Sequence, residues 1–457
     1  MRKLRCRGLL SGLICLAAPF IMADQPKLPT VHFTDQKLDN GLRVIIAEDH
    51  TAPVFGISVT YNVGSRNERP GRTGFAHLFE HMMFQGSENV GKGEHFILVL
   101  NNGGNMNGTT NEDRTNYFES LPKNQLDLAL YLESDRMRAL AVNQANLDNQ
   151  RNAVQEERRI GEDNQPYGHA FLDIDNLAYD NFAYKHSTIG EMSDLDAASV
   201  DDVKDFFRIY YAPNNAVLTL VGDLDTADTL ARVKKFFGAI PSQPTPPPVD
   251  MTEPAHYGTR TETIEDPLAR TPLILLSWHI AAGNTPDNYA MQVIANVLGQ
   301  GQSSRMYQDL VKQKQMATQV FVEADQRRGP SQLYVYAFVR PGVKPEDCEK
   351  EILSQIDALK KEGISAQELE KSRVQYLRQR IQSRQTDLGM AMQLGQSAVY
   401  FDDPNLINTS LDKYDAVTAE LVKAAAEKYL VPNELTVVTD LPAAQKNKLR
   451  ASTEGGK

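Results

Sequence analysis

The sequence predicts an α+β fold of two homologous domains, each a mixed, mostly antiparallel sheet with flanking helices. Three observations carry this. The chain has 457 residues, too many for one typical domain and enough for two or three. Residues 196–214 (DAASVDDVKDFFRIYYAPN) align without gaps with residues 415–433 (DAVTAELVKAAAEKYLVPN), 219 positions on, with seven identities that include Tyr210/Tyr429, Pro213/Pro432 and Asn214/Asn433. Strand and helix patterns alternate in both halves, and the Asn40-Gly41 pair between apolar runs marks a hairpin. Hairpins mean antiparallel pairing, which favours α+β over a doubly wound sheet.

The N-terminus reads as a secretory signal peptide over residues 1–23. Arg2, Lys3, Arg5 and Arg7 form a basic start, residues 8–22 an apolar run of signal length, and cleavage is expected near Ala23. Nothing else approaches a membrane span, so the expectation is an exported, periplasmic protein with no stable membrane span after cleavage. Cys6 and Cys15 fall inside the signal, leaving Cys348 alone. The mature chain therefore has no internal disulfide and relies on its core. The formal charge is −11, and loss of the signal leaves 44 basic residues against 59 acidic ones. Such a balance argues against nucleic-acid binding.

The strongest local signal follows at residues 77–81, His77-Leu78-Phe79-Glu80-His81. This HxxEH string is the reverse of the HExxH zincin motif. Residues four apart share a helix face, so His77 and His81 can present two imidazoles to one metal ion. Glu80 borders that face, where it can act as a base without being a ligand. Thr73 or Gly74 can open the helix, and Phe75, Leu78, Phe79, Met82, Met83 and Phe84 make the segment apolar almost all round. A helix of this kind is buried, and two histidines with a glutamate are costly there unless paired or metal-bound. A catalytic zinc takes three protein ligands plus an open position. The third is sought in the charged helix over residues 149–159, where Glu156 and Glu157 both qualify on chemistry alone.

Each copy of the repeat is a helix ending at a Tyr-x-x-Pro-Asn turn, followed by an apolar strand. Between the copies, Pro241, Pro244, Pro246, Pro247, Pro248 and Pro254 make a stiff segment without helix or strand potential. The domains are placed at 28–240, bearing the metal motif, and 259–445, with a linker over 241–258. The second domain carries no metal motif: its helix over residues 288–298 has no His or Glu, and aligning Leu147 with Leu369 puts Gln379 opposite Glu157. The run Gly299-Gln300-Gly301-Gln302-Ser303-Ser304-Arg305-Met306-Tyr307 is not a phosphate loop, because it lacks the Walker lysine and a preceding strand.

These motifs together resemble the pitrilysin and mitochondrial-processing-peptidase family of zinc metallopeptidases, the inverzincins, and the likeness covers essentially the whole mature chain. By this resemblance Glu157, 76 positions past His81, is the third ligand, and the cofactor is one Zn2+ per chain. Some relatives carry a further glutamate seven positions before that ligand; Gln150 stands here instead. Residues 38–44 resemble the family's opening hairpin, and residues 58–64 the strand leading to the metal helix. Residues 102–117 resemble its substrate-edge strand, which implies that Asn107, Thr109 and Thr110 bind substrate by adding an extended peptide to the sheet. The glycine-rich run resembles the family's GxGxSSRLY segment and implies a substrate-binding role for Arg305. The tyrosine that usually accompanies that arginine is missing, since Met316-Ala317-Thr318 stands in its place.

The resemblance implies a zinc endopeptidase acting on extended peptides or unfolded polypeptides, with Glu80 as the base that activates water. The chain corresponds to one half of the family's enclosing clamshell. That implies a heterodimer with a related subunit, favoured because of the missing tyrosine, or a homodimer. The alternative is a non-catalytic scaffold or peptide-binding subunit of a larger peptidase complex, against which the complete set of ligands and base argues.

Overall fold

The computed structural model describes residues 28–256 and 258–443. The signal segment at 1–23 lies outside the described residues. The described residues from Val31 onward form one compact unit. Among the described residues no helix is long and apolar enough to cross a membrane.

The first sheet contains β1 (Thr34–Lys37), β2 (Arg43–Glu48), β3 (Val54–Tyr61), β4 (Asn105–Thr110), β5 (Thr115–Pro122) and β6 (Ala216–Gly222), in the order β1-β2-β6-β3-β5-β4. The second contains β7 (Arg260–Asp266), β8 (Leu273–Ile280), β9 (Ala317–Ala324), β10 (Ser331–Val339) and β11 (Leu435–Pro442), in the order β7-β11-β8-β10-β9. The orders correspond strand for strand once β1 is set aside. In each, the strand after the Pro-Asn turn runs parallel to one neighbour and antiparallel to the other: β6 beside β2 and β3, β11 beside β7 and β8. The repeat read from residues 196–214 and 415–433 is thus a repeat of topology. Its helices are Val200–Tyr210 and Ala419–Tyr429, each passing through a 3-10 turn into its strand. The hairpin at Asn40-Gly41 joins β1 to β2, with Gly41 at φ +89°, where a side chain would be strained.

One face of each sheet packs on its own domain's helices, but the opposite faces are covered by exchange. Helix Asp387–Phe401, from the second half of the chain, lies across the first sheet, where Met390, Ala391 and Leu394 meet Ile45, Ala47, Val217 and Val221. The approach is close: a Cβ added at Gly56 of β3 would sit 2.4 Å from Leu388 Cα. Thr219 Oγ1 donates to Ala391 O at 2.9 Å, fixing the helix along its length. Reciprocally, helix Gly168–Ala178 from the first half places Ala170 and Ile174 against Leu273, Leu275 and Val438 of the second sheet.

One buried acid in the second sheet makes a pH prediction. Asp440 on β11 is fully buried and neither carboxylate oxygen has a hydrogen-bond partner among the described residues. Burial, then the charge of Asp266, pushes its pKa up to about 7. The fold therefore favours the protonated acid. Its contribution to stability is complete below the unfolded pKa of about 3.9 and is lost as the pH rises through 7. Asp440→Asn removes the charge and keeps the shape. Thermal unfolding should show a Tm several degrees above the parent chain at pH 8 and no difference at pH 4; an equal effect at both values refutes the assignment.

Candidate metal centre

The motif helix Phe75–Met82 begins at Gly74, whose φ of +80° ends the preceding loop. No side chain caps it in the usual way. Instead Glu68, six residues upstream, accepts from Gly74 N at 2.8 Å and Ala76 N at 2.7 Å. Its negative charge suits the positive end of the helix. His186 holds Glu68 in turn, with Nε2 2.9 Å from Glu68 Oε2 and Nδ1 2.9 Å from Phe182 O. Gly190 packs so tightly on Gly74 that an added Cβ would lie 2.3 Å from Gly74 Cα. Phe75, Ala76, Leu78, Phe79 and Met82 are buried in the first core. The helix is therefore locked at its start and along its apolar face, leaving His77, Glu80 and His81 on the remaining side.

Those side chains converge with Glu157. Helix Gln144–Arg158, capped by Asn143 accepting from Asn146 N, packs on the motif helix. His81 Nε2 lies 3.3 Å from Glu157 Oε2 and His77 Nε2 3.7 Å from Glu157 Oε1. The imidazole rings stand 4.8 Å apart, nearly perpendicular. Glu156, the other glutamate open from the sequence, points to solvent and pairs with Arg159. Gln150 is buried near His81, its Nε2 donating to Asn149 Oδ1 at 2.7 Å, at the position where some relatives carry a carboxylate.

The electrostatics suit a metal. Burial, then the charge of His81, holds His77 down to about 4, so its imidazole is neutral at neutral pH with a lone pair to give. Its buried Nδ1 has no hydrogen-bond partner among the described residues. Burial works to lower His81, but the hydrogen bond and charge of Glu157 outweigh it and raise the pKa. The hydrogen bond from His81 lowers Glu157. Two imidazole nitrogens and one carboxylate oxygen, all within 4.8 Å of one another, form the donor set that zinc takes in catalytic sites. The residues fit the ion.

Glu80 is 9% exposed, and burial raises its pKa, with the Thr110 hydrogen bond opposing. Thr110 Oγ1 donates to Glu80 Oε2 at 2.6 Å. Gly108 passes directly over it: an added Cβ would lie 2.9 Å from Glu80 Cγ. Both belong to β4, the edge strand of the first sheet. Asn107 and Thr109 alternate to the other face of that strand, where Thr109 Oγ1 accepts from Arg114 Nη1. Arg305 lies in the second domain, paired with Glu368 at 2.6 Å and donating to Gly363 O. Of the residues read as substrate-binding, the structure brings Thr110 to Glu80; it ties Arg305 to its own domain. Glu68 is a positioning residue that sequence reading missed. It sits in a charged loop with no periodic pattern, and only its reach to Gly74 and Ala76 discloses it.

The counterpart helix in the second half, Pro286–Gly299, follows β8 as the motif helix follows β3, yet carries no His or Glu, and its one acid, Asp287, pairs with Lys428. One half is thus equipped with two imidazoles on one helix, a carboxylate from a second and a buried glutamate beside them, and the other is not. That is the plan of an inverted-motif zinc peptidase. Residues 43–191 match the family model described as insulinase (peptidase family M16), and residues 197–376 the model described as the peptidase M16 inactive domain. The zinc protease PqqE of Helicobacter pylori is 30% identical over 406 residues, spanning 88% of this chain and 91% of that protein. A solved structure of a protease from Helicobacter pylori superposes with a TM-score of 0.86 at 28% identity, covering 90% of this chain and all of that one. The periplasmic protease PqqL from Escherichia coli gives 0.74 at 19% identity; the match covers 92% of this chain and 49% of that one. The chain belongs to peptidase family M16, as a half-size zinc protease.

Proposed function

We propose that this protein is an exported zinc endopeptidase that hydrolyses extended peptides or unfolded polypeptides. One observation carries the reading: His77, His81 and Glu157 converge within 4.8 Å while Glu80 is hydrogen-bonded to the sheet's edge strand. Metal, base and peptide-binding edge are thereby one assembly. His77, His81 and Glu157 would hold the zinc ion, which would supply Lewis acidity toward water and the scissile carbonyl. Glu80 takes the proton of the attacking water and later delivers one to the leaving amine. Thr110 fixes the Glu80 carboxylate for that transfer. The open edge of β4 aligns the substrate backbone by strand addition. We assign 28–240 to the metal-bearing domain, 241–258 to the linker and 259–445 to the domain without a metal site. PqqL, which is periplasmic, is about twice as long as the stretch this chain matches. That supports a periplasmic location and a working unit of two halves, a heterodimer with a related subunit being favoured over a homodimer.

The direct test is cleavage of a quenched fluorescent peptide library by the purified mature chain, with zinc quantified in the same sample. Chelator-sensitive cleavage supports a self-sufficient peptidase, and bound zinc without cleavage points to a missing partner subunit. A chain that binds no zinc defeats the reading. Strand addition has its own test. Asn111 N donates to Arg114 O, so by alternation the N–H groups of Met106, Gly108 and Thr110 face the open edge. Met106→Pro removes one such donor without breaking the pairing to β5. Losing a main-chain hydrogen bond of about 1–1.5 kcal/mol should cut peptide kcat/KM about tenfold with zinc retained. Unchanged cleavage would mean that the substrate does not bind there.

A further inference from the structure

Two other groups of described residues bring His and Glu donor atoms within 4.8 Å of one another. The first, His95, Glu119 and Glu133, lies below the motif helix and already contains a cation. Arg136 pairs with Glu133 there and stacks on Tyr117 and Phe84. The second consists of Glu253 and His256, from the proline-rich segment between the domains, and His279 of β8. Among the described residues no arginine or lysine is ion-paired with Glu253. Arg260, the nearby guanidinium, is engaged with Asp180 and with the carbonyls of Leu177 and Ala178.

His279 is 7% exposed and His256 6%. Nε2 of His279 has no hydrogen-bond partner among the described residues, and the one carboxylate near its Nδ1 is Glu434. A buried imidazole left in that state is destabilising, and native structures rarely tolerate it without a ligand or water. His256 Nε2 lies 2.9 Å from Glu253 Oε1 and 3.7 Å from Asp180 Oδ2. The rings of His256 and His279 are 4.7 Å apart at 69°, close to the disposition of His77 and His81. Glu253 is held in place by the backbone N–H groups of Asp180 and Asn181, at 2.7 and 3.1 Å. Glu434 Oε2 stands 3.4 Å from His279 Nδ1, placed either to accept that N–H, as carboxylates behind ligating histidines do, or to serve as a fourth ligand.

We infer that Glu253, His256 and His279 form a second metal site, for a divalent transition ion of the zinc class, with Glu434 as its supporting carboxylate. Two imidazoles and a carboxylate suit zinc rather than magnesium or calcium, which take oxygen donors. The site is buried, and with Glu434 closing the fourth position it would have the closed donor set of a structural site. Its ion would tie the inter-domain segment, which has neither helix nor strand over residues 241–256, to the second sheet. Bound zinc would then number two per chain, and the inference stands whether or not the chain is a peptidase.

The test uses the full mature chain with His77→Ala and His81→Ala, which dismantles the motif site alone. After chelator stripping, zinc is added back, excess is removed by gel filtration, and bound metal is counted. One equivalent should remain, and added zinc should raise Tm by several degrees. Adding His279→Gln to that background should reduce the bound metal to less than about a tenth of an equivalent and abolish the Tm response. Glu253→Gln provides the same test should His279→Gln fail to fold. The inference is overturned if the His77/His81 variant is folded by circular dichroism yet binds no zinc. It is equally overturned if the equivalent survives in a folded His279→Gln or Glu253→Gln chain.

Discussion

Glu80→Gln will abolish peptide hydrolysis and leave zinc in place. Among the described residues two carboxylates stand beside the two histidines: Glu157 lies against the imidazoles in the proposed ligand role, whereas Glu80 Oε2 accepts from Thr110. Glutamine keeps the volume and can still accept the Thr110 hydrogen bond, so the packing of Gly108 over the side chain is preserved. Only the capacity to take a proton is lost. A positioned general base contributes about 10²–10⁴-fold, and in the proposed mechanism the same group also returns the proton to the amine. The expected result is a fall in kcat of about 10³-fold or more, with zinc content equal to that of the parent. Single-turnover cleavage read beside metal analysis decides it; a Glu80→Gln chain retaining a tenth of parental kcat would remove Glu80 from the mechanism.

Glu157→Ala should remove one equivalent of zinc, and Glu156→Gln should remove none. The two residues are adjacent, and the test separates them cleanly. Glu157 lies within 3.3–3.7 Å of both imidazoles, whereas Glu156 is 59% exposed and pairs with Arg159. Residues behind a metal ligand typically cost 10–100-fold in affinity when removed. Gln150→Ala, which removes the buried amide beside His81, should fall in that range. Loss of Glu157 should exceed about 100-fold, since a ligand itself is gone. Competition against a chromophoric chelator ranks the three variants. If Glu156→Gln loses metal and Glu157→Ala does not, the ligand has been assigned to the wrong glutamate.

How much of this was legible beforehand follows from the range of each interaction. The motif helix was legible because two short-range signals coincide: a four-residue spacing that puts His77 over His81, and an apolar surround that demands burial. Asn40-Gly41 announced its hairpin for a local reason, the positive φ at Gly41. The repeat was legible because the Pro-Asn turn and the strand after it recur in both halves. Other features depend on segments far apart in sequence. Glu68 meets the motif helix through loop geometry and is held by His186, more than a hundred residues away. On residues alone Glu156 and Glu157 were equivalent; the family resemblance singled out Glu157, and the rotational phase of their helix against the motif helix sets that residue beside the imidazoles. The exchange of helices Gly168–Ala178 and Asp387–Phe401 left no mark in the sequence, because an apolar helix face does not specify which sheet it will cover.

That exchange makes the two sheets a single cooperative object despite the proline-rich tether between them. A protease that nicked residues 241–256 would yield two fragments that stay clasped, each holding an arm of the other. Expressed alone, the first half would leave Ile45, Val217 and Val221 bare where Met390 and Leu394 now cover them. At about 1.5–3 kcal/mol for each large apolar side chain, that loss is comparable with the whole net stability of a typical domain. The metal-bearing half is therefore no detachable enzyme. Its catalytic geometry is inherited from an embrace that only the intact chain can make.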